Sequence, residues 1–202
     1  MKAVILDMYG VIVKDTGDGF YEFVNKTFPK LDISYMYTEW DRANIGEIDS
    51  KEVFRRFGYT DNLAGIEEEY LNSIEINEDF YDFATDIKKR CKLALISNDI
   101  SNWSVFLREK YDLNKYFDVI TVSGDLKIKK PNEKIFEYTL EKLGCVASEC
   151  VYVDDRRSNL NAARNMGMEA ILFNSRNVEY DRKTVYNFKE LETAIKRSLN
   201  NE

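Results

Sequence analysis

The sequence predicts an α/β protein, a doubly wound parallel sheet with a helical subdomain inserted after its first strand. Three observations carry that prediction. Short continuous apolar runs recur along the chain, as they do in strands covered on both faces. Amphipathic helical patterns fall between the later runs, the alternation that builds parallel sheets. From about Asp15 to Thr85 the alternation stops, and the chain becomes helical in pattern and rich in aromatics.

In chain order, the first strand is expected at Ala3–Leu6. The inserted segment follows, with Phe20, Tyr21, Phe23, Phe28, Tyr35, Tyr37, Trp40, Phe54 and Phe57 forming a small core of its own. Asp49 and Glu52 fit a capping box ahead of Val53 and Phe54. The expected division is therefore a core of residues 1–14 and 86–202 and an insertion of residues 15–85. Further strands are expected at Leu93–Ile96, Val119–Val122, Cys150–Val153 and Ala170–Phe173. Helices are expected at about Ser101–Tyr111, Pro131–Leu143 and Ser158–Met166. The second of these carries Pro131 in its first turn, a stripe of Ile135, Phe136, Thr139, Leu140 and Leu143, and Gly144 just past its end. Gly167 closes the third. Asn187 with Glu190 caps a last helix whose stripe is Leu191, Ile195 and Leu199.

Composition restricts the chemistry. The 202 residues suit one domain with an insertion, and 44% hydrophobic content suits a globular chain. Lys plus Arg number 29 against 36 Asp plus Glu, a net charge of −7, which makes a poor general binder of nucleic acid or anionic membrane. Histidine is absent. That removes Ser-His-Asp and Cys-His hydrolases, HExxH proteases and imidazole zinc sites, and leaves acid–base and metal chemistry to carboxylates, Lys, Tyr, Cys and backbone groups. The cysteines Cys91, Cys145 and Cys150 are odd in number and form no CxxC pair, which fits reduced thiols and a cytoplasmic location. The opening Lys2–Asp7 run is too short for a signal h-region, and no apolar run reaches the roughly 20 residues that span a bilayer.

Each strand end carries a polar group: Asp7 after the first, Ser97 and Asn98 after the second, Asp154 and Asp155 after the fourth. The loop after the third leads to Lys130 and Pro131. Ligands of open α/β sheets bind at the carboxyl ends of strands. Alone, each residue has an ordinary explanation as a turn residue, a helix cap or a solvated charge. Their order and shared location point to a site.

These residues resemble the haloacid dehalogenase-like (HAD) hydrolase superfamily, over nearly the whole chain and with all of its motifs in order. Asp7-Met8-Tyr9-Gly10-Val11 is similar to the first motif, DxDG(T/V). Ser97-Asn98 is similar to the second, and Lys130-Pro131 to the third. Asp154-Asp155-Arg156-Arg157-Ser158-Asn159 is similar to the fourth, DDxxxN. The insertion falls where the helical-cap subgroup carries its cap. The resemblance implies a Rossmann-like core, and Asp7 as a nucleophile that forms an aspartyl-phosphate. It implies Mg²⁺ held by Asp7, the Tyr9 carbonyl and Asp155, with Asp154 and Asn159 behind them. It also implies Lys130 beside the reacting anion, and phosphate held by Ser97, Asn98 and Lys130. Its substrate would be a small phosphorylated molecule under a mobile cap hinged near Lys14–Gly19 and Phe80–Asp86. Cap residues facing the site set specificity in such enzymes, and Tyr21, Trp40, Arg42, Lys51 and Arg55 are candidates. Oligomeric state is left open.

One residue departs from the phosphatase pattern. Tyr9 stands where a second aspartate normally protonates the leaving group and activates water. A phenol with an unperturbed pKa near 10 can donate a proton but is a poor base at neutral pH. Asp-x-Tyr is also what L-2-haloacid dehalogenases show, and these displace halide at carbon without a metal. The paired Asp154-Asp155 argues for the metal-binding form, since carboxylates crowded beside Asp7 without a cation would be costly. The expectation is a Mg²⁺-dependent phosphomonoester hydrolase. A dehalogenase-like enzyme and a low-turnover phosphate-binding or phosphosugar-binding protein are the alternatives.

Overall fold

A computed structural model describes the backbone of residues 1–200 and side chains as far as Arg197, so Leu199 of the expected stripe lies outside the described side chains. The sheet has six parallel strands in the order β3-β2-β1-β4-β5-β6. They are β1 (Ala3–Leu6), β2 (Lys92–Ser97), β3 (Val119–Val122), β4 (Cys150–Asp154), β5 (Glu169–Phe173) and β6 (Thr184–Val185). β1 is central, with β2 on one side and β4 on the other, so its carboxyl end lies at the point where the strand order switches.

Alternation along each strand divides the core. Ala3, Ile5, Ala94 and Ile96 face one way with Ile135, Phe136, Leu140 and Leu160, from α8 (Glu133–Leu143) and α9 (Arg157–Asn165). Val4, Leu6, Leu93 and Leu95 face the other way with Phe83, Trp103, Leu107 and Leu191. These last come from α5 (Phe80–Ile87), α6 (Ser101–Lys110) and α10 (Phe188–Asn200). Two short elements escape sequence periodicity: β6, and α7 (Ser123–Leu126) at the end of β3. Pro131 precedes α8, where the Asn132 side chain caps by accepting from the Lys134 N–H. Gly144 and Gly167 close α8 and α9 with left-handed φ values of 65° and 97°.

The insertion holds α1 (Asp18–Thr27), α2 (Ile33–Asn44), α3 (Ser50–Phe57) and α4 (Leu63–Ser73). Only half of the expected capping box forms at α3: the Asp49 carboxylate accepts from the Glu52 N–H, whereas the Glu52 side chain turns to Arg55 and Arg56. Phe20 sits at the centre of the insertion's aromatics, within 6.1 Å of Trp40, Phe54, Phe57 and Tyr70. That core runs on into the sheet domain through Trp103 of α6, whose ring lies 5.2 Å from Phe20 and 5.1 Å from Tyr70. The chain enters and leaves the insertion side by side, with Val13 bridged to Ile76 and the Lys14 N–H donating to the Glu75 carbonyl. α5, which the sequence reading places mostly inside the insertion, buries Phe80, Phe83 and Ile87 against the sheet domain and contacts β2 and α10.

Candidate active site

Asp7 follows β1 directly and is 5% exposed. Its Oδ1 accepts from Lys130 Nζ at 2.7 Å and from the Met8 N–H at 2.7 Å. Its Oδ2 carries no hydrogen bond among the described residues, which leaves that oxygen for chemistry. The Lys130 ammonium is buried and also donates to Asp154 Oδ2 at 3.0 Å and to the Ile96 carbonyl at 2.9 Å. Asn98 fixes the lysine's main chain, accepting from the Lys130 N–H at 2.8 Å and donating to its carbonyl at 3.0 Å. The Asn98 amide is thus committed to positioning Lys130.

Asp154, the last residue of β4, is fully buried and hydrogen-bonded on both oxygens. It accepts from Lys130, Tyr152, the Arg156 N–H and the Asn159 amide. Asp155 differs. Its Oδ2 pairs with Arg176 Nε at 2.5 Å, while its Oδ1 is buried without a partner. Gly10 makes room for this carboxylate, since a Cβ there would lie 2.6 Å from Asp155 Oδ2 and the backbone has φ +74°.

Asp7, Asp154 and Asp155 each offer an oxygen within 4.8 Å of the others. Three formal negative charges meet two positive ones, Lys130 and Arg176. Burial, then the nearby Asp154, push Asp7 well above the usual carboxylate range, with Lys130 opposing. Burial and Asp154 likewise raise Asp155 to about 6. Asp154 goes the other way: burial opposes ionisation, but Lys130, the Tyr152 hydroxyl and the Arg156 N–H together lower it. An all-oxygen, electron-rich cluster with one orphaned buried oxygen fits a hard divalent cation.

The Tyr9 ring lines the cavity, and its hydroxyl donates to Asp99 Oδ1 at 3.1 Å. Burial, then Asp99, push the phenol well above its ordinary value, while burial raises Asp99 to about 8. Ser97 ends β2 fully buried, and its hydroxyl has no partner. A cavity of about 380 Å³ opens above Asp7. Asn98, Lys130, Arg156 and Asn159 line its floor, and Gly17, Tyr37, Trp40, Asp41 and Asn44 enter from the insertion. Of the specificity candidates, Trp40 reaches this cavity, whereas Arg42 pairs with Glu39 and Glu47, and Arg55 with Glu52. The structure adds Arg176, Tyr152 and Asp99 to the site. Arg176 lies in the loop after β5, where neither motif nor periodicity points to it.

A family model for haloacid dehalogenase-like hydrolases matches residues 4–173. A phosphorylated carbohydrates phosphatase of Thermotoga maritima is 28% identical over 186 residues, 85% of this chain and 84% of that protein. A drimenol cyclase of Aspergillus calidoustus is 24% identical over 183 residues, 87% of this chain, which spans only 34% of the cyclase. Among solved structures, a HAD-family enzyme of Bacteroides thetaiotaomicron in complex with magnesium and inorganic phosphate superposes with a TM-score of 0.74 at 17% identity, covering 90% of this chain and 98% of that one. An L-2-haloacid dehalogenase of Xanthobacter autotrophicus with chloropropionic acid covalently bound gives 0.70 at 16% identity, covering 97% and 98%. An enzyme that holds magnesium and phosphate and a dehalogenase thus share this fold. With the sheet order, the polar strand ends and a match across residues 4–173 in agreement, the chain belongs to the haloacid dehalogenase-like hydrolase family.

Proposed function

We propose that this hydrolase cleaves small phosphomonoesters in a Mg²⁺-dependent reaction through an aspartyl-phosphate on Asp7. The buried cluster of Asp7, Asp154 and Asp155 beside Lys130 carries the reading. Displacement of halide at carbon has no use for such a concentration of carboxylates, whereas phosphoryl transfer between two anions needs the cation they would hold. Asp7, Asp155 and the Tyr9 carbonyl would hold Mg²⁺, which when bound neutralises charge between carboxylate and phosphate and polarises the phosphoryl oxygens. Asp155 Oδ1, buried and unpartnered, is the oxygen free for that role.

The chain's own groups do the rest. Lys130 fixes Asp7 through Oδ1 and adds positive charge beside the phosphate. Asp7 Oδ2 attacks phosphorus as the bond to the ester oxygen breaks, and that oxygen takes a proton from water, because no carboxylic acid stands at position 9; the proton is given back when water attacks in the second step. Water then attacks the phosphorus of the acyl phosphate, releasing inorganic phosphate and restoring the Asp7 carboxylate. The N–H groups at the strand ends suit the phosphate oxygens, whereas the Ser97 hydroxyl is fully buried and does not line the cavity. The insertion acts as a cap, and Tyr37, Trp40 and Asn44 meet the leaving group. The phosphatase relatives support a small phosphorylated substrate.

Tyr9 favours a second reading, dehalogenation of a 2-haloacid, because no second carboxylate stands two residues after Asp7. A panel of metabolite phosphates plus 2-chloropropionate, assayed with and without Mg²⁺, separates the two. Phosphate release that chelation abolishes is expected. Chloride release that survives chelation would establish the second reading, and phosphate binding without turnover would leave a binding protein.

A further inference from the structure

Arg176 makes a strong contact to the proposed cation site that no sequence motif accounts for. Its guanidinium forks three ways. Nε meets Asp155 Oδ2 at 2.5 Å, one terminal nitrogen meets Asp18 Oδ2 at 3.0 Å, and the other donates to the Thr16 carbonyl. Thr16 and Asp18 form the entry to the cap, just before and at the start of α1. That entry is itself ordered: the Asp15 carboxylate accepts from the Gly17 and Gly19 N–H groups, and the Thr16 hydroxyl donates to Asp18. One side chain thus bridges the sheet's fourth strand end and the cap's first turn. A rigid fork with several donors is what such a bridge needs, and lysine cannot supply it.

The two oxygens of Asp155 divide the labour. Arg176 occupies Oδ2, and Oδ1 is buried with no partner. Groups that hydrogen-bond a ligating carboxylate orient it, and losing them typically weakens metal binding by about 10–100-fold. We propose that Arg176 is a positioning residue that presents Asp155 Oδ1 to the divalent cation and couples cation binding to order at the cap entry, Thr16–Asp18. This rests on the phosphatase reading of the site.

Charge alone makes the opposite prediction. Removing a cation from beside Asp155 should tighten Mg²⁺ binding, whereas removing an orienting group should weaken it. The test uses Mg²⁺ alone, with calorimetry for affinity and amide hydrogen exchange for residues 14–19, on the full chain. In the wild type, Mg²⁺ should slow exchange at the cap entry by roughly tenfold, within the usual range of site-to-site coupling. Arg176→Met should weaken Mg²⁺ binding by about tenfold or more and abolish the Mg²⁺-dependent slowing. Arg176→Lys, which keeps the charge and one contact, should retain more of the affinity but lose the slowing. Asp18→Asn, which loosens only the cap end, should keep most of the affinity while reducing the slowing. A cooperative melt for each variant shows that the fold is intact. Unchanged or tighter Mg²⁺ binding by Arg176→Met, or the same slowing as in the wild type, overturns the proposal while leaving the phosphatase reading standing. A wild-type protein that binds no Mg²⁺ overturns that reading, and the proposal with it.

Discussion

Tyr9 puts a phenol where a phosphatase of this pattern carries a carboxylate, and the structure gives that phenol a partner, Asp99. Asp99 is 1% exposed and does not line the cavity, so it cannot take over proton transfer to the substrate directly. Burial raises it to about 8, so it is largely neutral at pH 7 and would not repel a new carboxylate nearby. Tyr9→Asp should therefore speed hydrolysis of an alkyl phosphate, on the order of 10²-fold for a positioned general acid. The gain should be smaller for para-nitrophenyl phosphate, whose leaving group needs little protonation. Losing a buried ring costs on the order of 3 kcal/mol of stability, so kcat/KM is compared below the variant's melting range. An unchanged or lower rate on the alkyl ester would mean that Tyr9 shapes the pocket and is not a deficient acid.

Elements set where the cap can sit. α4 is held at its carboxyl end by Lys110, which donates to the carbonyls of Leu71, Asn72 and Ile74. Trp103 and Asn102 of α6 both donate to the buried Glu67 on α4. That side of the cap is anchored to the sheet domain, and the α2 end closes over the cavity. There Ser123 donates to the Asn44 carbonyl, and Gly46 comes so near Gly124 that a Cβ would lie 2.7 Å from its carbonyl oxygen. Gly46 also has φ +67°, so alanine is disfavoured by both conformation and contact. Gly46→Ala should push the α2 end off α7, raising KM for a small phosphate ester several-fold while leaving Mg²⁺ affinity close to that of the wild type. Kinetics and calorimetry on the same preparation check this, and an unaltered KM would show that this contact does not set closure. Much at this scale was legible. The parallel strands read as continuous apolar runs because both faces are covered. β6 and α7, with two and four residues, are too short to show a period. α5 is amphipathic like the helices before it, and only tertiary contact assigns its apolar face to β2 and α10.

Across the whole molecule, an acidic chain with a net charge of −7 places Lys129, Lys130 and Arg156 on one cavity, but Asp41 pairs with Lys129 and Asp7 with Lys130, so these side chains leave much of an anionic substrate's charge for a metal cation to meet. Among the described residues no helix is long and apolar enough to cross a membrane. The strand-end residues were legible because a parallel sheet brings its carboxyl ends to one edge, so Asp7, Asn98, Lys130 and the Asp154–Asp155 pair meet across long stretches of sequence. Arg176 was not, because its link to Asp155, 21 residues away, depends on how the loop after β5 folds back over the cap entry. The central claim is that Asp7 becomes covalently phosphorylated. The most direct test is rapid acid quench during turnover of a good substrate with Mg²⁺, followed by peptide mass spectrometry. One phosphoryl group on the peptide containing Asp7, absent without Mg²⁺ and absent in Asp7→Asn, is the predicted result. Turnover with no phosphorylated peptide, or undiminished activity in Asp7→Asn, would contradict it.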